Sequence, residues 1–209
     1  LLRVEMSKLL ERHFAHAKPG EKIIANGVEY LIEDQMKRRQ EGLLMEAAVV
    51  AKILEQELKT LLERGENIIL DGFPRSVEQI ELVMEFIDKT IGKDRLLIFY
   101  LNVGQEASLT RNSHRRICEL MRHPIFSHPD TENLTICPLD GSRLVRRVME
   151  DDPEVIKVRL QEFKKQTLPL LSYFEEKSIV IHTINGEQSI ADVFGEISGI
   201  MNKVIPQVV

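Results

Sequence analysis

Apolar residues in this chain occur in two alternating kinds of run, and that alternation predicts its architecture. Leu44, Ala48, Ala51, Leu54, Leu58 and Leu62 recur every three or four residues, which predicts a helix over 44–62 with one buried face. Gly65 then supplies a stop, and Asn67–Leu70 reads as a short buried strand ending at Asp71. The pattern continues with a helix over 76–88, a strand over 95–103 built on Leu96–Leu101, and a helix from about Glu106. Beyond an irregular stretch, helical spacing returns over 152–174, a strand over 179–184, and a closing helix over 189–204. Leu1–Met6 reads as part of a further strand. Strands spaced by helices predict an α/β fold, a doubly wound and mainly parallel sheet flanked by helices. The stretch 117–150, rich in His, Pro, Asn and Asp, is too long for an ordinary loop and is expected to form an inserted lobe.

Composition narrows the function classes. With 209 residues, 43% hydrophobic and 29% charged, the chain suits one globular domain able to bury a sizeable core. Its 28 basic and 33 acidic residues give a net charge of −5 with no basic stripe, which argues against a nucleic-acid partner. No apolar run approaches a membrane span and no secretory leader opens the chain, so a cytoplasmic protein without membrane contact is expected. Cys118 and Cys137 are too few for a disulfide framework and suit a reducing compartment.

Chemistry concentrates where the strand over 67–70 ends, in Asp71-Gly72-Phe73-Pro74-Arg75-Ser76-Val77-Glu78-Gln79. The strand delivers Asp71 to its carboxyl end, where open α/β sheets bind ligands. Gly72 permits close backbone approach and Pro74 stiffens the turn. Arg75 offers a planar fork suited to phosphate, and Gln79, one helical turn on, can meet an amide-bearing base. Spacing alone equally allows an ordinary strand-to-helix turn, with Asp71 as a cap and Arg75 solvated.

Asp-Gly-Phe-Pro-Arg followed by Gln resembles the signature of the adenylate kinases and their close relatives, and the similarity extends over nearly the whole chain. The resemblance implies a P-loop nucleoside monophosphate kinase: a core over 1–116 with acceptor-binding helices at about 7–60, a lid over 117–150, and a core continuation over 151–209. It implies that Asp71 lies near Mg2+, that Arg75 grips the acceptor phosphate, and that Gln79 reads adenine. Thr110-Arg111-Asn-Ser-His-Arg115-Arg116 is similar to the hinge into the lid, where two arginines face ATP; helical spacing would put Arg111 and Arg115 on one face. Arg147 and Arg159 match the transition-state arginines beyond the lid. The loop Asn185-Gly186-Glu187-Gln188 resembles the one that holds the ATP adenine.

The acceptor side departs from the pattern. Met6-Ser7-Lys8-Leu9-Leu10-Glu11-Arg12 stands in place of Thr-Gly-Asp-x-Leu-Arg, so Ser7 keeps a hydroxyl but Glu11 occupies the position of the phosphate-binding arginine. Arg12 is the adjacent cation expected to serve instead. Glu41-Gly42-Leu43-Leu44-Met45 resembles the stretch lining the acceptor base. In the lid, Cys118-x-x-Met121 and Cys137-x-x-Asp140 are similar to zinc pairs of many members, with Met121 replacing a cysteine and His123 a nearby substitute. A metal-free lid with two buried thiols is the alternative.

No Gly-x-x-x-x-Gly-Lys-[Ser/Thr] occurs in the 209 residues, and the family's phosphate-binding loop is expected upstream of Leu1. The implied activity is ATP + AMP = 2 ADP, with ATP and AMP as small-molecule partners and a monomeric enzyme. UMP, CMP or GMP kinases of the same fold are alternatives, as is a non-catalytic nucleotide-binding homologue.

Overall fold

The computed structural model describes residues 1–126, 131–146 and 152–204. In chain order the elements are β1 (Leu2–Glu5), α1 (Met6–Phe14), β2 (Lys22–Ala25), β3 (Val28–Leu31), α2 (Ile32–Gln40), α3 (Ala47–Glu63), β4 (Ile68–Asp71) and α4 (Val77–Thr90). There follow β5 (Ile98–Asn102), α5 (Gln105–His114), β6 (Arg116–Cys118), β7 (Pro124–Ile125), β8 (Leu144–Val145), α6 (Pro153–Glu162), α7 (Pro169–Glu176), β9 (Ile181–Asn185) and α8 (Ile190–Val204). They divide into two compact units, one of 1–96 and 158–179, the other of 97–157 and 180–209.

In the first unit β1 and β4 pair in parallel, Leu2 opposite Ile68 through Glu5 opposite Asp71. The parallel pairing is what strands separated by helices demand. α3 supplies the core: Val49, Val50, Ile53, Leu54 and Leu58 are buried, and this helix packs against α4 through Ile80, Val83 and Ile87. Leu170 and Phe174 of α7 bury their side chains as α7 packs on α4.

Two features of this unit differ from the sequence reading. The region at about 7–60 is not wholly helical, because β2 and β3 form an antiparallel hairpin with Ala25 opposite Val28. Asn26 and Gly27 make the two-residue turn with φ of 48° and 76°, the left-handed pair that Asn-Gly adopts readily. Ile23 and Ala25 bury one side of it. The long helix over 152–174 is also broken, by a π turn over Phe163–Thr167 in which Leu168 donates its N–H to the Phe163 carbonyl at 2.9 Å. Pro169 explains the break: without an N–H it suits the first turn of a new helix, not the interior of a continuous one.

In the second unit β5 and β9 pair in parallel from Ile98–Ile181 to Asn102–Asn185. Within the irregular stretch a small antiparallel sheet forms in the order β7-β6-β8. α8 carries an apolar stripe at helical spacing, yet no described residue of it is buried, and Phe194 is 71% exposed. Among the described residues β4 pairs only with β1 and β5 only with β9.

Leu54 is completely buried on α3. Leu54→Ala is expected to lower unfolding free energy by about 2–5 kcal/mol, read as a shift of the urea midpoint at unchanged slope.

Candidate active site

The turn between β4 and α4 is held by hydrogen bonds from three directions. Ser76 caps α4, its hydroxyl accepting the Gln79 N–H at 3.2 Å. Gln79 returns its own side chain, whose Oε1 accepts the Arg75 N–H at 2.8 Å. Thr167, in the π turn, donates its hydroxyl to the Arg75 carbonyl at 2.8 Å. Gln79 is only 3% exposed, so it acts first as a brace for the turn. Arg75 itself is exposed, and its Nε donates to the Gly72 carbonyl at 3.1 Å, curling the guanidinium back over the turn.

Gly72 adopts a φ of 80°, and a Cβ there would lie 3.2 Å from Arg75 Nη2 and 3.8 Å from Met6 Cβ. The turn thus sits against the first turn of α1. Asp71 accepts from Arg3, whose Nε lies at 3.1 Å, and Ser7 donates to Glu5 at 3.0 Å. Met45 is buried just before α3, where Gln35 Oε1 accepts the Glu46 N–H at 2.9 Å. Arg12 takes a different place from the one the sequence suggested: its guanidinium donates to Glu57 of α3 at 2.9 Å. On a helix, Arg12 lies about 140° around the axis from Ser7, so it cannot share that face.

In the second unit Arg111 donates to the Gly186 carbonyl at 2.6 Å and the Glu187 carbonyl at 2.9 Å, fixing the loop after β9. Gln188 donates to Glu196 at 2.8 Å. Arg111 lies in the last turn of α5, and Arg115 is the residue that follows the helix, with φ of −64° and ψ of 139°. Arg159 is half-buried in the last turn of α6, in the first unit. Arg147 lies outside the described residues.

The lobe around β6 gathers Cys118, His123, Cys137 and Asp140, with one ligand atom of each within 4.8 Å of every other. His123 Nδ1 lies 3.5 Å from both sulfurs and 3.2 Å from Asp140 Oδ2. The Cys118 thiol donates to Asp140 at 3.0 Å. That bond, then Ser142, holds the Asp140 carboxyl well below the usual carboxylate range. Burial pushes the Cys137 thiol up. Met121 is 59% exposed, and His123 is the fourth member of the cluster. Tetrahedral zinc with bonds of about 2.0–2.3 Å needs ligand atoms about 3.3–3.8 Å apart, and this donor set is near that spacing.

The sequence profile of the adenylate kinase family matches residues 30–179, more than half of the chain. An adenylate kinase of Clostridium botulinum (strain Loch Maree / Type A3) is 33% identical over 205 residues, covering 94% of this chain and 92% of the relative. The chain belongs to the adenylate kinase family. A Lactobacillus johnsonii adenylate kinase is 33% identical over 196 residues, 91% of this chain and 88% of its own length. The adenylate kinase of Bacillus subtilis (strain 168) is 34% identical over 164 residues, 77% and 72% of the two chains. Arg3, which meets Asp71, carried no signal in the sequence because it stands outside any recognisable motif.

Gly72→Ala is expected to cost about 1–2 kcal/mol from its left-handed backbone and to displace the Arg75 guanidinium. Thermal unfolding and the arginine Nε–Hε NMR signal of Arg75 report the two effects separately.

Proposed function

We propose that the protein transfers the γ-phosphoryl group of ATP to a nucleoside monophosphate, AMP being the favoured acceptor. What carries the reading is the Asp71–Arg75 turn, with an exposed guanidinium folded over Gly72 at the carboxyl end of β4, in a chain of the adenylate kinase family. Phosphoryl transfer asks for positioning and charge stabilisation more than for covalent chemistry. Arg75 binds the acceptor phosphate, with Ser7 beside it and Met45 and Gln79 toward the base. Arg111 shapes the Gly186–Gln188 loop that receives the ATP adenine. Arg115, Arg147 and Arg159 are assigned to the charge that develops on the transferring group. The reading includes a cytoplasmic monomer acting on small molecules, and no described helix is long and apolar enough to cross a membrane.

The half-exposed Asp71 carboxylate suits magnesium held through water, and Arg3 competes with the ion for it. When bound, magnesium neutralises charge on the triphosphate. The Cys118–His123–Cys137–Asp140 set suits a structural zinc that pins the lid.

Three outcomes follow. In protein expressed from its full reading frame, nucleoside diphosphate should form from ATP and AMP faster than with CMP, UMP or GMP. Arg75→Ala should slow that reaction about a thousandfold with folding intact, and activity within a few-fold of the parent would remove Arg75 from the site. Elemental analysis should find about one zinc per chain, lost in Cys137→Ser and His123→Ala but kept in Met121→Ala. Protein purified without chelators and free of zinc would leave the cluster as a thiol and polar core.

A further inference from the structure

We propose that Thr167 is a positioning residue for phosphoryl transfer, acting through the backbone of Arg75; this rests on the role proposed above for that arginine. A side chain leaves the backbone in a direction set by its residue's two soft dihedrals, and these are fixed when the peptide groups on both sides are held. At Arg75 both are held by side chains. Gln79 accepts the N–H at 2.8 Å on one side, and Thr167 donates to the carbonyl at 2.8 Å on the other. Gln79 stands four residues away and comes with the turn. Thr167 stands 92 residues on, so only the folded chain supplies it.

The π turn accounts for the direction of this hydroxyl. Within an α-helix a threonine commonly gives its one hydroxyl hydrogen to the carbonyl four residues back, which here is Phe163. In this structure the Leu168 N–H takes that carbonyl at 2.9 Å, and Thr167 gives its hydrogen to Arg75. Single π turns within helices are frequent at functional sites. The donor also has a firm base, because α7 starts two residues later and packs on α4 with Leu170 and Phe174 buried. Upstream, α6 leads straight into the π turn and carries Arg159 in its last turn. The arginine proposed for the acceptor phosphate and one proposed for the developing charge thus ride on segments that this bond joins. An exposed hydrogen bond between neutral groups adds little to stability. A small misplacement of a group at a transferring phosphoryl can cost about a hundredfold in rate. Loss of the hydroxyl is therefore felt in turnover more than in folding.

The test is steady-state kinetics with ATP and AMP on protein expressed from its full reading frame. Thermal unfolding and the Arg75 Nε–Hε NMR signal are followed alongside. Thr167→Val and Thr167→Ala both remove the hydroxyl, the first at nearly constant shape. Each should lower kcat about tenfold or more, raise KM for AMP by less than kcat falls, and shift the Arg75 signal. Thr167→Ser should hold kcat within about threefold of the parent and leave the signal in place. In an Arg75→Ala background Thr167→Val should slow the reaction by less than about threefold further, because the group it orients is gone. Parent-like kcat in both hydroxyl-free variants, a loss that Thr167→Ser shares, or an equal loss in the Arg75→Ala background would overturn the assignment. Arg75→Ala alone separates the two levels. If it slows transfer about a thousandfold while Thr167→Val does not slow it, the assignment of Thr167 alone fails. If it leaves the rate within a few-fold of the parent, the role proposed for Arg75 fails, and Thr167 with it.

Discussion

The hydrogen bond from the Arg75 N–H to the Gln79 side chain is the constraint on which the proposed acceptor site depends. A strand that stops and turns straight into a helix leaves backbone donors and acceptors without partners, and buried ones must be satisfied. Here side chains do that work. Gln79 takes one amide, Ser76 takes another, and Thr167 supplies a donor to the carbonyl from a segment nearly a hundred residues away in sequence. With the backbone of the turn fixed, the guanidinium of Arg75 can project from a rigid base. On a loose loop, an arginine in the proposed phosphate-binding role would lose more conformational entropy on each encounter.

Charge in the first unit is paired before any ligand arrives. Arg3 meets Asp71, Arg39 meets Glu11, Arg38 meets Glu46 and Arg12 meets Glu57. Exposed pairs of this kind are individually worth about 0–1 kcal/mol, so they order the side chains without locking them. This is how a chain with net charge −5 can present cations to an anionic ligand: the acidic excess is local partner as well as global surplus.

Much of this was legible in the sequence, and the boundary is physical. α3 and α4 announce themselves because many apolar residues repeat at one period, and β4, β5 and β9 because apolar runs end at turn residues. The Asp71–Gln79 turn was readable because its residue types are each demanded by a backbone or ligand requirement. The hairpin of β2 and β3 escaped notice: strands of four residues give periodicity too little length to register, although Asn26-Gly27 was the available signal. Pro169 was visible too, and it marks where one long helix becomes two. The pairing of Arg39 with Glu11 had no local signal at all, because 28 residues separate partners that only the fold of α1 and α2 brings together.

The hairpin also has a consequence for how the chain tolerates change. Its ends are tied, with the Ile32 N–H donating to the Glu21 carbonyl at 3.0 Å, so residues 22–31 run out along α3 and return to the same point. The family profile begins at residue 30, as this excursion closes. A detour whose entrance and exit coincide can lengthen, shorten or carry a foreign peptide without moving the helices on either side. In this protein the tip at Asn26-Gly27 is therefore a natural graft point for a tag or reporter, a handle on the first unit that leaves its framework in register.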